Sequence, residues 1–401
     1  MLSASQPACF LIADISGYTS YLAGVELDHA QDILADLIGT VVTSLRPSFR
    51  LAKLEGDAAF TFALTEKVDG SVLLDTIERC YFGFRRRRRD VRQATSCECN
   101  ACVRIPTLNL KFVVHHGRAI RQKVAGREEL LGSDVIVVHR LLKNDVVDRM
   151  GINAYALITQ QCIDATDLDP AALGMQPTTE AYDVIGDVTA WVHDLERRWQ
   201  EEEGRQRIRV GAEDAAFNVS LETGAPPQMI WEFATQPGRR RAWQAGVTDV
   251  LEFDTKGGRR GVGSTNHCMH GKDAVIEEIL DWRPYDYLTE RATMSTPGGP
   301  VKMIATLELE PTPTGTIMHW RFAAPKTPRE RALLEQMAPM FAEAFAESNR
   351  VLTAQLDAEL ARRTADAAAE PQLPVPTADA PFAGLESPAT PVTAAAPEAP
   401  G

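Results

Sequence analysis

Two acidic residues carry the most legible chemistry in this sequence. Asp14 ends the apolar run Phe10-Leu-Ile-Ala and is followed by Ile15 and then Ser16-Gly17-Tyr18. Asp57 lies in Leu51-Ala-Lys-Leu-Glu-Gly-Asp-Ala-Ala-Phe-Thr-Phe62, which reads as strand, Gly-Asp turn, strand. A carboxylate at a strand end, followed by free backbone amides at a helix start, suits a metal-bound polyphosphate. With the hairpin paired beside the first strand, Asp14 and Asp57 would share two divalent cations, an arrangement suited to in-line displacement at phosphorus.

The elements that must position them follow from hydrophobic spacing. Phe10 to Asp14 is a buried strand. Thr19 to Asp36 reads as helix, and apolar residues keep helical spacing from Val25 to Leu45, with Pro47 closing it. The hairpin Phe49 to Leu64 follows. Val72 to Arg92 is predicted helical, with Leu73, Leu74, Ile77, Tyr81 and Phe84 mostly on one face. It ends in Arg85 to Arg89, either a solvated helix end favoured by the C-terminal dipole or a site for an anionic partner. Leu108 to His115 has the unbroken apolar character of a central strand. His115 and His116 at its end read as hydrogen-bonded structural residues or as ligands. Arg118 to Val124 is the next strand, Leu130 to Leu142 a helix, Ala154 to Thr159 a strand and Gln160 to Asp167 a short helix. Ala181 to Ile185 and Thr189 to Asp194 form a hairpin.

Cys97, Cys99 and Cys102 form a tight cluster, with Cys80 upstream as a fourth thiol. Four thiolates would make a tetrahedral Zn²⁺ site, and the spacing also admits an iron–sulfur cluster or a metal-free loop.

Phe-Leu-Ile-Ala-Asp-Ile-Ser-Gly-Tyr-Thr and Lys53-Leu-Glu-Gly-Asp57 resemble the catalytic domain of class III nucleotidyl cyclases. Leu110-Lys-Phe-Val-Val-His-His-Gly117 is similar to that family's strand ending in His-x-Gly, and Leu131 to Leu141 to its Gly-x-x-Val-Asn-x-Ala-x-Arg helix. The resemblance covers Ala8 to Glu196 and implies a ferredoxin-type α/β sandwich. It assigns Asp14, Asp57 and the Ile15 carbonyl to Mg²⁺ or Mn²⁺ and the amides of Ser16, Gly17 and Tyr18 to phosphate. Lys53 takes the place of the base-selecting lysine of adenylyl cyclases, pointing to ATP. Glu129 stands for the paired acid, and Arg140 for the arginine that meets transition-state charge. Ile136 replaces the family's ribose-orienting asparagine, a loss on the order of 3 kcal/mol, or about a hundredfold in rate. In that family the metal carboxylates and the arginine-bearing helix come from different subunits, so the resemblance implies a homodimer. Two activities remain open: formation of cyclic AMP and pyrophosphate, or nucleotide sensing or dimerisation without turnover.

A second pattern opens at Ala215. One strand (Phe217 to Glu222) precedes a helix begun by Pro226-Pro227. Strands follow at Val247 to Phe253, Gly263 to Met269, Val275 to Asp281, Tyr287 to Met294, Val301 to Leu309 and Thr316 to Phe322. The long helix Pro328 to Thr364 closes the pattern. This order and the Pro-Pro-x-x-Ile-Trp opening resemble the START-like, polyketide-cyclase-like (SRPBCC) helix-grip fold, an antiparallel sheet around a long C-terminal helix that commonly encloses an apolar cavity. Candidate wall residues are Trp231, Phe233, Trp243, His267, Met269, Trp282, Met303 and Trp320, each of which is equally a core residue.

The expected organisation is α+β. A cyclase-like domain spans 1–196, a linker 197–211, a ligand-binding helix-grip domain 212–362, and a disordered Ala/Pro-rich tail 363–401. The 401 residues carry a net charge of −13, which argues against bulk attraction to nucleic acid or anionic membrane. No apolar run is long enough to span a membrane and no export signal is read, so the expected location is cytoplasmic. Seven cysteines in such a chain favour thiols or metal ligands over a disulfide framework.

Overall fold

A computed structural model describes residues 4–368 apart from 24, 26, 47, 95–99, 125–126, 184, 272 and 296–298. The chain is α+β and builds two sheets.

The first begins with β1 (Gln6–Ser16), whose residues Ala8 to Ala13 are all but sealed from solvent. α1 (Tyr18–Leu22) and α2 (Leu27–Leu45) lead to β2 (Arg50–Glu55) and β3 (Ala58–Leu64). α3 (Gly70–Ala94) and α4 (Asn100–Arg104) bring the chain to β4 (Asn109–Val124), which folds back as β5 (Arg127–Leu131). α5 (Ser133–Arg140), α6 (Val146–Met150), β6 (Tyr155–Thr159), α7 (Gln160–Asp164), β7 (Gln176–Tyr182) and β8 (Gly186–Asp194) complete the unit, and α8 (Leu195–Gly204) leaves it. The strand order is β2-β3-β1-β4-β6-β8-β7, with β5 hydrogen-bonded to β4. The β4–β6 ladder is parallel and its neighbours are antiparallel.

Because β1 is central, side chains alternate between two cores. Cys9, Leu11, Ala13 and Ile15 meet α2 and α3 on one face. Phe10 and Ile12 join Val113, Val135 and Val138 beneath α5 on the other. β4 is one continuous strand through Gly117, not two. Its Gly117 has no room for a side chain, since a Cβ would stand 2.4 Å from Cγ of Asp134. Asp134 Oδ2 instead accepts the Arg118 amide at 2.7 Å. The expected helix from Thr19 is two helices, because α1 ends at Leu22 and α2 starts at Leu27.

The arginine run is part of the packing. Arg85 pairs with Glu196, and the guanidiniums of Arg85 and Arg86 lie over Trp199. Arg87 bonds Asp36, Arg88 donates to the Leu108 carbonyl, and Arg89 stands 3.8 Å from Asp90.

The second sheet is wholly antiparallel, in the order β10-β11-β12-β13-β14-β15-β9. Its strands are β9 (Ala215–Thr223), β10 (Asp249–Phe253), β11 (Thr265–His270), β12 (Asp273–Arg283), β13 (Tyr287–Met294), β14 (Val301–Thr312) and β15 (Gly315–Ala323). α9 (Pro227–Thr235) and α10 (Pro237–Trp243) pack near its opening, and α11 (Pro328–Ala368) crosses its inner face. Leu352 and Leu356 of α11 are fully buried there, while Phe345 packs on Phe217, Phe322 and Trp320. Of the expected tail 363–401, residues 363–368 continue α11, with Arg363 bonded to Glu232, and the rest lie outside the described residues.

The two units meet through α3. Arg259, in the β10–β11 connection, donates to Glu78 at 2.7 and 2.8 Å and to Asp75 at 3.0 Å. Arg198 and His193 also bond Glu78. Trp282 donates to Asp75 at 3.2 Å, Tyr285 bonds Thr76 at 2.9 Å, and Arg260 pairs with Asp69 at 2.6 Å. Glu78 is buried, yet the surrounding cations hold its carboxyl well below the usual range despite that burial.

Candidate functional site

Asp14 and Asp57 come together. β1 pairs with β3 up to Asp14 opposite Ala58, and the Gly56-Asp57 turn closes the β2–β3 hairpin beside it. Gly56 has φ +66°, which a hairpin tip requires and glycine supplies at no steric cost. The Asp57 carboxyl lies close enough to Asp14 to feel its charge. Partial burial and then the Asp14 charge push it up to about 6. Tyr18 closes the same corner, its phenol raised by burial and by Asp57. Gly17 turns the chain between them at φ +86°, with its backbone against the Thr107 carbonyl, where a Cβ would stand 3.0 Å away. β1 continues two residues past its ladder with β3, leaving the backbone of Ile15 and Ser16 unladdered on that side.

Lys111 is a site residue that sequence reasoning misses. It pairs across from Asp14 in β4, and its Nζ stands 3.2 Å from Asp14 Oδ2 and 3.1 Å from the Leu142 carbonyl. The signal is present in the sequence: a lysine between Leu110 and Phe112 interrupts an otherwise buried strand.

The nucleotide-binding candidates are arranged less simply. Lys53 on β2 is 2.8 Å from Glu55, and Glu55 is 3.1 Å from His139 Nε2 on α5. Burial raises the Glu55 carboxyl, but Lys53 and His139 outweigh it and hold it below its usual range. Glu129 lies on β5 opposite Gln122, and β5 packs against β2. Arg140 is exposed at the end of α5, and Ile136 is 57% exposed on the same helix. His115 is structural. Its ring bonds Thr159 at 2.9 Å and reaches Asp134 at 3.4 Å, while His116 bonds the Thr65 carbonyl.

Cys97 and Cys99 lie outside the described residues. Cys80 and Cys102 are buried, and the Cys80 thiol faces the Val41 carbonyl at 3.8 Å and is pushed up strongly by burial. Among the described residues no group of three His, Cys, Asp or Glu is placed to hold a metal ion.

In the second unit a cavity of about 290 Å³ opens between α11 and the β13–β15 part of the sheet. Met303, Phe322, Leu334, Met337 and Phe341 line it, with Arg291, Lys302 and Lys326 also present. Of the sequence candidates only Met303 lines it. Trp231, Phe233, Trp243 and Trp320 belong to the packed core, and His267 packs on Phe253 at 4.3 Å. Trp282 is turned to Asp75 of α3. Farther along the inner face, Arg240 and Glu277 form a buried bidentate pair beside Glu290. Burial and then Glu277 push Glu290 up to about 8, so it is mostly protonated at neutral pH.

The family model described as Polyketide cyclase / dehydrase and lipid transport matches residues 214–357, and one described as Protein of unknown function (DUF2652) matches residues 34–150. The uncharacterized protein Rv2561/Rv2562 of Mycobacterium tuberculosis is 36% identical over 166 residues, covering 40% of this chain and 73% of that protein. Among solved structures, the guanylyl cyclase Cya2 is similar at 13% identity and TM-score 0.37, covering 48% of this chain and 93% of that one. The adenylyl cyclase CyaB from P. aeruginosa matches at 12% and 0.36, over 48% and 97%. Protein MLL2253 from Mesorhizobium loti matches at 20% and 0.28, over 34% and 95%. No helix among the described residues is long and apolar enough to cross a membrane.

Proposed function

The chain belongs to the family of the uncharacterized Mycobacterium tuberculosis protein Rv2561/Rv2562, a premise that names no activity, and we propose from the site itself that its first unit binds a nucleoside triphosphate with a divalent cation. The observation that carries this is the meeting of Asp14 and Asp57, two carboxylates whose repulsion a cation would relieve. Their oxygens and the Ile15 carbonyl are hard donors of the kind Mg²⁺ and Mn²⁺ prefer. The Lys111 ammonium already supplies one positive charge beside Asp14, so the donor set favours one tightly held cation over two.

When bound, such a cation would hold phosphate oxygens and acidify an attacking hydroxyl. Asp14 and Asp57 would fix its position at the end of β1. Lys111 would face the same phosphates as a point charge. The turn at Gly17 brings the chain back past the Thr107 carbonyl, and Tyr18, beside Asp57, would shield the cation from water. Lys53 would have to leave Glu55 to meet an adenine nitrogen. Arg140, being exposed, is free to serve a site completed by a second copy, so the proposal includes a homodimer. The reaction this arrangement suits is conversion of ATP to cyclic AMP and pyrophosphate.

A second reading, nucleotide binding without turnover, is favoured by Ile136, which cannot hydrogen-bond a ribose, and by Lys53 being engaged with Glu55. In either case the cavity under α11 would take an apolar small molecule against Met303, Met337 and Phe341.

The test is calorimetric titration of ATP with Mn²⁺, together with cyclic AMP measurement, for the wild type and Asp57→Ala. Binding and product lost in the variant support the enzyme, and binding without product supports the sensor. No ATP binding by the wild type would overturn both.

A further inference from the structure

A cavity of about 350 Å³ lies where the two units meet, and neither Asp14 nor Asp57 lines it. Its walls come from α3, β8, α8 and the segment from Lys256 to Ser264. Seven lysine and arginine side chains line it against three glutamates, in a chain whose net charge is −13. Three of those cations are committed: Arg198 and Arg259 to Glu78, and Arg260 to Asp69. Arg197 donates to the Gly174 carbonyl at 3.1 Å, and Arg197 and Arg205 make only long ion pairs, at 3.7 Å, with Glu201 and Glu202. Arg79 and Lys256 have no carboxylate partner among the described residues.

A second observation points the same way. His193, 1% exposed, lines this cavity, bonds Glu78 through Nε2 at 2.8 Å, and has no partner for Nδ1 among the described residues. Burial holds its imidazole below the usual range, so at neutral pH Nδ1 is an acceptor. A buried acceptor without a donor is unfavourable, and a small shift of the ring toward the cavity it lines would let a ligand hydroxyl satisfy it.

We propose that this cavity binds a small anion of two or more negative charges, carrying phosphate or carboxylate groups, through Arg79, Arg205 and Lys256. Guanidinium forks match both groups bidentately, and the volume suits a metabolite. Since both units supply walls, the bound anion would bridge them. The site is independent of the proposed nucleotide site.

The full chain is titrated with pyrophosphate and, separately, citrate, in EDTA so that no metal complex forms at Asp14 and Asp57. The Arg79→Gln/Lys256→Gln double variant removes cations that neutralise no carboxylate, so its fold should hold, and unliganded melting checks this. If it does not hold, Lys256→Gln alone, at an exposed position, replaces it. The expected result is binding by the wild type and by Asp57→Ala, weakened about tenfold or more in the double variant. Which probe binds separates phosphate from carboxylate recognition. Failure of both probes, equal binding by the cavity variant, or loss of binding in Asp57→Ala would overturn the proposal.

Discussion

Replacing Asp57 by asparagine should stabilise the metal-free protein, against the usual direction for point substitutions. Asp57 is raised from an ordinary 3.8 to about 6 by burial and by Asp14, with Lys111 opposing and Tyr18 nearby. A folded value above the unfolded one means that the native state holds the proton more tightly. Its contribution is therefore present below pH about 4, is lost as pH rises toward 6, and leaves a net penalty above that. Taken at face value the shift is worth about 3 kcal/mol. Asp57 is only partly buried, and solvent screening reduces this to about 1.5 kcal/mol. The asparagine amide never ionises, so Asp57→Asn should melt about 3–6 °C above the wild type in EDTA above pH 6. The two should converge near pH 4. Saturating Mn²⁺ should raise the wild type and leave the variant nearly unmoved. Thermal melts across pH, with and without Mn²⁺, read all three effects. A variant that melts at or below the wild type in EDTA above pH 6 would refute the idea that two carboxylates strain against each other at the end of β1.

Lys111→Met should raise Mn²⁺ affinity about tenfold by removing a competing ammonium, while lowering metal-free stability above pH 6; isothermal titration and melting measure the two. Arg259→Ala should cost about 3–5 kcal/mol, because it leaves Asp75 and Glu78 buried with too little positive charge; chemical denaturation should then show the two units unfolding apart. Met303→Trp should fill the cavity beneath α11 and abolish fluorescence enhancement of a bound apolar dye, with little change in melting temperature.

Much of this architecture can be read from residue order. Strand and helix positions in the second unit follow alternation and turn residues closely, down to α11. β1, the hairpin and α3 are equally plain, because their apolar runs are long and their glycines punctuate them. The pairing of Asp14 with Asp57 is legible because each ends an element whose partner strand can be guessed. Lys111 escapes notice because a single charge within a buried strand looks like an interruption until its cross-strand neighbour is known. The cavity candidates are mostly core residues. A tryptophan's type does not say which layer it meets, and Trp282 turns to an acid more than two hundred positions earlier in the chain. The arginine run looks like an independent binding feature, yet its ring, carboxylate and carbonyl partners are scattered along the first unit, from Asp36 to Trp199. Helix spacing cannot reveal such long-range partners.

The acidic face of α3 has a consequence for how such chains diverge. Arg259 reaches Asp75 and Glu78 from the far side of the junction, and Asp75 has no other carboxylate-neutralising partner among the described residues, so Asp75 and Arg259 cannot drift independently, while Glu78 also keeps Arg198 and His193. Among relatives that keep both units, positions 75 and 259 should change as a pair. A lineage that lost the second unit should carry a neutral residue at position 75, whereas Glu78 could persist with Arg198 and His193.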